Sequence, residues 1–139
     1  MMKILVSSCL LGENCKYNGG HNYSEKVAEY CRGHEVISVC PECMGGLPTP
    51  RIPAEIVSGV VTNRAGENVD VQFRKGAALA LEIAKREQID VAILQSRSPS
   101  CGVKQIYDGT FSGVKIDGQG VFAELMQKNG FQLIDVEDL

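Results

Sequence analysis

Short apolar segments alternate along this chain with segments that have the periodicity of amphipathic helices. Lys3–Ser7, Glu35–Val39 and Asp90–Gln95 are brief runs bounded by polar or turn-forming residues, which is typical of buried strands. Between the last two, Val69–Glu87 carries apolar residues at helical spacing, namely Phe73, Ala77, Ala80, Leu81 and Ala84. This alternation predicts an α/β fold in a single domain, with a mostly parallel, twisted sheet and helices on both faces, as in a Rossmann-like three-layer sandwich.

Turn and cap signals assign the remaining segments. Ser24 has the properties of an N-cap for a helix that runs through Cys31 and ends at Gly33. Met44–Pro53 is rich in proline and glycine, so we expect a long ordered loop there. The other predicted elements are a strand or hairpin over Ala54–Thr62, a hairpin or flap over Asp108–Gly120, a helix over Val121–Lys128 and a last strand over Phe131–Val136.

Size and charge limit the class of partner. The chain has 139 residues, which fits one domain over 1–139, and a net charge of −3 with Lys and Arg scattered along the chain. A nucleic-acid partner is not expected, because such proteins normally display a clustered basic face. No apolar run reaches the roughly 20 residues that span a bilayer, and Met1–Val6 is too short for a signal peptide. We therefore expect a cytoplasmic protein with a small-molecule partner and no membrane association; the sequence predicts no particular oligomeric state.

Six cysteines are many for such a chain. In the cytoplasm thiols are kept reduced, so metal ligation or thiol chemistry explains them better than disulfides do. Three of the predicted strands end near a cysteine, at Cys9, Cys40 and Cys101. Because parallel α/β sheets bind their ligands beyond the carboxyl ends of the strands, we expect these three thiols on one rim of the sheet.

The spacing of the cysteines alone leaves several interpretations open. Cys9 and Cys15 reach one metal centre if the loop between them turns back, but either one could instead be a small buried apolar residue. Cys40-Pro41-Glu42-Cys43 has the C-x-x-C form of a redox pair. Gly45-Gly46-Leu47-Pro48 follows at once, so we expect a loop there and not the helix that such a pair opens. Cys31 is expected to be a helix residue without chemistry.

Two polar segments are candidates to complete a site. Ser96–Gly102 combines three hydroxyls, a guanidinium and a thiol; it either caps the next element or provides a metal ligand and a serine that handles a proton. In the proline-fixed arm Pro48–Glu55, Arg51 is expected to form an internal ion pair, with Glu55 as the candidate partner, or to bind a ligand oxygen.

Six motifs occur in one order over nearly the whole chain. They are Val6-Ser7-Ser8-Cys9-Leu10-Leu11-Gly12, Cys15-Lys16-Tyr17-Asn18-Gly19, Val39-Cys40-Pro41-Glu42, Gly45-Gly46-Leu47-Pro48-Thr49-Pro50-Arg51, Ser96-Arg97-Ser98-Pro99-Ser100-Cys101-Gly102 and Tyr107-Asp108-Gly109-Thr110-Phe111-Ser112-Gly113. In these motifs the sequence resembles the 2-thiouracil desulfurase family, long known as a domain of unknown function. Each motif alone is weak, but together they are specific.

The resemblance implies a [4Fe–4S] cluster held by only three cysteines, so that the fourth iron is free to receive the sulfur of a small thiolated substrate such as 2-thiouracil. Cys9, Cys15, Cys40 and Cys101 all match family positions, which is one more than the cluster needs. Cys9, Cys15 and Cys101 are the favoured ligands, and Cys40 is the reserve.

The resemblance also implies a glutamate and a serine that handle protons beside the cluster. The glutamate is Glu42, as general base on a water, and the serine is Ser98 by preference or Ser100. Arg51 and Arg97 are the candidate substrate-binding residues. The implied reaction is a non-redox hydrolysis in which oxygen from water replaces the sulfur of a thiocarbonyl.

Two other functions fit the same cysteines. A zinc-stabilised binding module would use four of the thiols, would be colourless, and would fail to fold once its metal is removed. A sulfur carrier would hold a persulfide on one reactive cysteine and bind no metal. An absorption spectrum with an iron and sulfide count, after anaerobic purification, separates all three.

Overall fold

The computed structural model describes all residues from 1 to 139. The strands are β1 (Lys3–Ser7), β2 (Glu35–Val39), β3 (Ala54–Val57), β4 (Val60–Asn63), β5 (Val91–Leu94), β6 (Gln105–Tyr107), β7 (Lys115–Asp117) and β8 (Leu133–Asp135). The α-helices are α1 (Glu25–Cys31), α2 (Pro41–Met44), α3 (Asp70–Glu87) and α4 (Val121–Lys128). Short 3-10 helices follow β1 at Ser8–Leu11 and β8 at Val136–Asp138.

A four-stranded parallel sheet in the order β2-β1-β5-β8 forms the centre of the molecule. Leu5 of β1 lies opposite Ile37 of β2 on one side and Ala92 of β5 on the other. After β1 the chain therefore forms β2 on one side of β1, and it later forms β5 on the other side of β1. This reversal opens a crevice at the carboxyl ends of β1 and β5, where parallel α/β folds bind their ligands.

Alternate residues of the central strands face opposite layers of the molecule. Leu5, Ala92 and Leu94 belong to a buried cluster that includes apolar residues of α3 and α4. Ile4 and Ile93 belong to a second cluster, which includes residues of α1. Helices thus cover both faces of the sheet, which confirms the predicted three-layer α/β sandwich.

Most of the other predicted elements form where the local signals place them. Ser24 caps α1, since its Oγ accepts a hydrogen bond from the backbone N–H of Val27 at 3.3 Å. α4 spans the predicted Val121–Lys128, and β3 and β4 form the predicted hairpin. The flap is an antiparallel pair of β6 and β7, and its first strand begins at Gln105, ahead of the predicted range. None of the helices is both long enough and apolar enough to cross a membrane.

The expected loop at Cys40-Pro41-Glu42-Cys43 is wrong, because Pro41–Met44 forms one helical turn with Cys40 at its N-cap. The fixed φ of proline suits the first helical position, where its missing N–H has no partner to lose. Gly45 and Gly46 end the helix after this turn, and Gly46 has a left-handed φ of 94°. The glycines that indicated a loop are therefore the stop signal of a very short helix.

Candidate functional site

The carboxyl edge of the sheet opens into a cleft of about 910 Å³. Cys9 follows β1, Cys40 follows β2, and Cys101 lies in the segment after β5. All three line the cleft together with Cys15. The strand-end thiols therefore gather on one rim, as expected, and their three segments leave neighbouring strands of one sheet.

Two of the four thiols of the cleft are buried, and Cys15 and Cys40 are partly exposed. Cys9 is 9% exposed and Cys101 is 4% exposed. Burial raises the pKa of Cys9 to about 11 and that of Cys101 to about 12, and it also raises the pKa of Cys15 and of Cys40. Such thiols stay protonated at neutral pH unless a positive centre compensates the thiolate charge. An iron–sulfur cluster provides that centre and takes cysteine thiolates as its ligands, so the donor set fits such a cofactor.

Cys15 and Cys40 are close neighbours at one side of the cleft. Cys40 Sγ lies 4.0 Å from the backbone carbonyl oxygen of Cys15. No group of three or more His, Cys, Asp or Glu side chains is close enough to hold a metal ion. A cluster of several irons and sulfides is wider than one ion, so this spacing gives the zinc-module alternative no support.

The other two cysteines lie away from the cleft. Cys31 is buried in the cluster between α1 and the sheet, which agrees with the expectation of a helix residue without chemistry. Cys43 Sγ lies 3.5 Å from Thr49 Oγ1 and 3.9 Å from Arg51 Nη1. Neither thiol lines the cleft.

Glu42 places its carboxylate in the cleft from the first turn of α2. Its Oε2 accepts a hydrogen bond from Ser100 Oγ at 2.8 Å and lies 3.5 Å from Ser98 Oγ. Its Oε1 accepts a hydrogen bond from Arg51 Nε at 3.1 Å. Donors on both oxygens fix the orientation of the carboxylate, while its side chain stays 16% exposed and open to a small molecule.

Ser98, Ser100 and Glu42 form a chain of hydrogen bonds. Ser98 Oγ accepts the backbone N–H groups of Ser100 and Cys101 at 3.1 and 3.0 Å. With both lone pairs used, the Ser98 hydroxyl is placed to donate to Ser100 Oγ, which lies 2.9 Å away. Ser100 is 1% exposed, whereas Ser98 is partly exposed. Ser98 is therefore the accessible end of a path along which a proton moves to or from Glu42.

The serine segment also has the structural role that was its alternative interpretation. The carbonyl oxygens of Pro99 and Ser100 accept hydrogen bonds from the backbone N–H groups of Val121 and Phe122, each at 2.8 Å. These are N–H groups of the first turn of α4, which lack partners within their own helix. The two interpretations of Ser96–Gly102 are thus compatible, because its backbone caps α4 while the side chains of Ser98 and Ser100 face Glu42.

Arg51 joins three parts of the site. Besides Glu42, its guanidinium donates to the Cys15 carbonyl oxygen from Nη2 at 2.8 Å and to Thr49 Oγ1 from Nη1 at 2.9 Å. The expected internal ion pair exists, but the suggested partner Glu55 is wrong. The Glu55 carboxylate accepts backbone N–H groups of the flap, and Glu42 takes its place beside Arg51 because the turn of α2 carries it there.

Backbone contact between two helices fixes the position of α2. A Cβ on Gly76 of α3 would lie 1.7 Å from the carbonyl oxygen of Pro41, and a Cβ on Gly45 would lie 1.9 Å from that of Gln72. No side chain fits between the two helices at these points. The placement of Glu42 and of Cys40 therefore depends on glycines that do not line the cleft.

Arg97 lines the cleft but its guanidinium is paired outside it. Its Nη1 and Nη2 donate to the two carboxylate oxygens of Glu137 at 2.8 and 2.7 Å. Its φ is 59°, which few side chains adopt. The neighbouring Ser96 hydroxyl donates to the buried carboxylate of Asp135 at the end of β8. These contacts hold the start of the serine segment against the last strand.

The sequence did not single out Asn22, Arg64 and Phe111, which also line the cleft. Asn22 Nδ2 lies 3.7 Å from Cys9 Sγ and donates to it, and such donors tune the properties of ligand sulfurs. Phe111 lies in the motif Tyr107–Gly113, one of the six that the sequence shares with the family, so the sequence contains a signal for it. Asn22 and Arg64 carry no comparable signal, because their placement depends on how two loops fold back over the strand ends.

Comparison with known proteins agrees with this geometry. The sequence matches the 2-thiouracil desulfurase family over residues 4–138. The uncharacterized protein YbbK of Bacillus subtilis (strain 168) is 42% identical over 146 residues, and the match covers 98% of this chain and 97% of that protein. A solved structure of the [4Fe-4S]-dependent thiouracil desulfidase TudS is 38% identical, with a TM-score of 0.94 over 100% of this chain and 93% of that one.

The family match extends over the sheet, the cleft and every motif of the sequence, and the solved structure shares the complete fold. Both agree with the family that the motifs predict. This chain belongs to the 2-thiouracil desulfurase family.

Proposed function

We propose that this chain is an iron–sulfur desulfurase that hydrolyses the thiocarbonyl of a small thiolated compound such as 2-thiouracil. The predicted desulfurase class and the predicted [4Fe–4S] cofactor are confirmed at the level of the family and of its solved relative. The observation that carries the proposal for this chain is the carboxylate of Glu42, fixed by Ser100 and Arg51 in the cleft that the thiols of Cys9, Cys15, Cys40 and Cys101 also line. We further propose that residues 1–139 form one iron–sulfur desulfurase-like domain.

Three of the four thiols are proposed to hold the cluster. Cys9 and Cys101 are the first two, because both are buried at the ends of adjacent central strands. Of the two remaining thiols, Cys15 is the ligand favoured from the sequence, and Cys40 is the alternative. The geometry favours Cys40 over Cys15. Cys40 follows β2 directly and is the N-cap of α2, the helix whose position is fixed by its backbone contact with α3. Cys15 lies in the loop between the 3-10 helix at Ser8–Leu11 and α1.

When bound, a [4Fe–4S] cluster with three thiolate ligands supplies a Lewis-acidic iron with an open position and an affinity for soft sulfur. The protein's own residues supply the proton chemistry. Glu42 takes a proton from the water that attacks the thiocarbonyl carbon, which requires the carboxylate within roughly 2.6–3.2 Å of that water. Ser98 and Ser100 pass a proton between Glu42 and the leaving sulfur. A thiocarbonyl and water thus give a carbonyl and hydrogen sulfide, with no net electron transfer.

Arg51 and Arg97, the candidate substrate-binding residues, are both engaged in ion pairs. Arg51 is 7% exposed in its side chain, and every part of its guanidinium has a partner. We propose that Arg51 positions Glu42 and the loop of Cys15. Arg97 is 25% exposed in its side chain, so it contacts a substrate by its stem or by leaving Glu137.

The expected setting follows from the same chemistry. A cluster with an open iron is best preserved where thiols stay reduced, so we propose the cytoplasm. The proposed partner is the small thiolated substrate alone, with no nucleic acid and no membrane. This agrees with the net charge of −3 and with the absence of clustered basic residues in the sequence.

A direct experiment tests the function. The protein is purified without oxygen, its cluster is reconstituted, and 2-thiouracil is added. We expect uracil and sulfide in equal amounts, without an electron donor or acceptor. A colourless protein with tightly bound zinc would favour the binding module, and a metal-free protein with one hyper-reactive thiol would favour the sulfur carrier. Either result would refute the proposal.

A further inference from the structure

The cleft that contains the thiols is also lined by residues of the two hairpins. Its thiol end is formed by Cys9, Cys40, Cys101 and Glu42, and its flap end by Arg64 after β4 and Phe111 in the turn between β6 and β7. At the flap end, the guanidinium carbon of Arg64 lies 5.9 Å from the centre of the Phe111 ring. This distance is within the range of a cation–π contact. At the flap end the Phe111 ring therefore lines the cleft, and the Arg64 guanidinium supports its position.

The backbone at Phe111 is held in an unusual conformation. Phe111 has a φ of 56°, which is rare for an aromatic residue. Glu55 Oε1 accepts the backbone N–H groups of Gly109 at 3.0 Å and of Phe111 at 3.1 Å. Such conformations persist only where surrounding contacts enforce them, and they concentrate at functional sites. Glu55, on β3, is the contact that enforces this one.

The tip of the flap is also fixed by close packing and by a local turn. A Cβ on Gly109 would lie 2.7 Å from the carbonyl oxygen of Ile56, so the flap rests on the backbone of β3. Asp108 Oδ1 accepts hydrogen bonds from the backbone N–H of Thr110 at 3.0 Å and from its hydroxyl at 2.6 Å. Phe111 is thus presented by a preformed turn whose contacts come from two hairpins.

We propose that Phe111, held by Glu55, is the surface on which the planar ring of the substrate stacks, and that it makes the enzyme prefer aromatic thiolated heterocycles over non-aromatic thiocarbonyl compounds. This inference rests on the proposed desulfurase function and specifies the substrate class of the same cleft. Aromatic rings gain from stacking beyond the area that they bury. A ring held against Phe111 presents its thiocarbonyl in a fixed orientation, whereas a puckered or open-chain compound lacks that contact. Glu55 is a positioning residue, because it acts only through the backbone of the flap.

Binding measured without turnover tests the proposal. In the Glu42→Gln holoenzyme, the Kd of 2-thiouracil is compared with that of 5,6-dihydro-2-thiouracil, which keeps the thiocarbonyl but lacks the aromatic face. We expect Phe111→Leu to weaken 2-thiouracil binding roughly tenfold and to leave the dihydro compound nearly unchanged. Phe111→Tyr should retain the preference. The matched control is Ile116→Ala, which removes an exposed side chain from the same flap outside the cleft.

Glu55 is tested through its dependence on Phe111. Glu55→Ala should weaken 2-thiouracil binding, and Glu55→Gln should restore it, because the amide keeps an oxygen that can accept both N–H groups. The double variant Glu55→Ala/Phe111→Leu should bind no more weakly than Phe111→Leu alone. The cluster content, counted as iron and sulfide, should equal that of the wild type in every flap variant.

Several results would overturn the stacking role. Unchanged 2-thiouracil binding in Phe111→Leu, equal weakening for both compounds, or additive losses in the double variant each contradict it. Failure of the proposed function is a different result: the wild-type holoenzyme, with its full cluster, would release no sulfide. The binding comparison is independent of turnover and would still decide the role of Phe111.

Discussion

At the thiol end of the cleft, the functional side chains stand on the ends of parallel strands, whereas at the flap end they stand on two small antiparallel hairpins. Cys9 and Cys101 leave adjacent central strands, and backbone contact with α3 fixes the helical turn of Glu42. Phe111, by contrast, is held by the carboxylate of Glu55 and by local turn contacts. A sheet gives the rigidity that cofactor binding and proton transfer need, while the exposed turn of a hairpin can change without disturbing the core. The comparison predicts that changes at the thiol end alter the cluster or kcat, and that changes at the flap end alter KM.

The largest effect on turnover is expected from Glu42→Gln. The amide keeps the shape of the side chain but cannot take a proton from water, so kcat should fall roughly 10²–10⁴-fold. The absorption band of the cluster should remain, because Glu42 is not a proposed ligand. Steady-state sulfide release with an iron count on the same sample checks both statements. Wild-type turnover in this variant would remove Glu42 from the chemistry.

Ser98→Ala and Ser100→Ala should lower kcat by less, on the order of 10–100-fold each. Both interrupt the same path from the cleft to Glu42, in which Ser100 donates at 2.8 Å. The double variant should therefore be no slower than the slower single variant. Rate measurements on the three variants at saturating 2-thiouracil test this. Independent, multiplying losses would show that the two serines do not act as one chain.

Gly109→Ala changes the flap end without touching the thiol end. The glycine has a φ of 93°, and an added Cβ would meet the carbonyl oxygen of Ile56 at 2.7 Å, so the flap must shift away from β3. We expect KM for 2-thiouracil to rise roughly fivefold, which corresponds to about 1 kcal/mol of binding, with kcat little changed. Gly66→Ala is the matched control, since that glycine has a φ of 83° but no atom near its Cβ. A fall in cluster content in Gly109→Ala would contradict the separation of the two ends.

The next prediction concerns the stability of the folded chain at different pH values after the cluster is removed by chelation under reducing conditions. In the folded chain the pKa of Cys9 is raised by burial to about 11 from a usual 9.0, whereas in the unfolded chain the thiol ionises near its usual value. Between these two values the unfolded state has lost more protons. Cys9 alone should therefore lower the free energy of unfolding by on the order of 2 kcal/mol as pH rises from about 9 to 11, and the raised pKa values of Cys15, Cys40 and Cys101 act in the same direction.

Denaturant titrations at several pH values check this prediction. Cys9→Ala should show a shallower fall in the cluster-free protein. With the cluster bound, the ligating thiolates do not titrate, and the contribution of Cys9 to the fall should be absent. An equal slope with and without the cluster would count against Cys9 as a ligand.

The sequence predicts the thiol end better than the flap end, for a physical reason. The runs Lys3–Ser7 and Asp90–Gln95 are apolar because they are buried on both faces, and the carboxyl ends of parallel strands necessarily meet at one edge. That Cys9 and Cys101 lie at the same edge of the sheet follows from these facts, while the exact position of Cys101 also depends on the conformation of the serine segment.

The wrong predictions concern residues whose conformation or partner depends on several competing contacts. Gly45 and Gly46 indicated a loop, yet they end a helical turn, and a glycine pattern does not distinguish the two. The partner of Arg51 could not be deduced, because it depends on the contact of α2 with Gly76, far along the chain. Glu55 holds the turn of the flap by hydrogen bonds to backbone groups more than fifty residues away along the chain. Packing between residues far apart in the sequence decides all three features, and short sequence motifs contain no information about it.

The bound iron of single cysteine variants shows which thiols hold the cluster. Cys9→Ser, Cys15→Ser, Cys40→Ser and Cys101→Ser are purified and reconstituted without oxygen beside Cys31→Ser, whose thiol lies outside the cleft. We predict that the strand-end variants at positions 9, 40 and 101 lose the cluster, while the variants at positions 15 and 31 keep the iron and sulfide of one [4Fe–4S] cluster per chain. Full iron in any of the three strand-end variants would contradict a cluster held by those thiols.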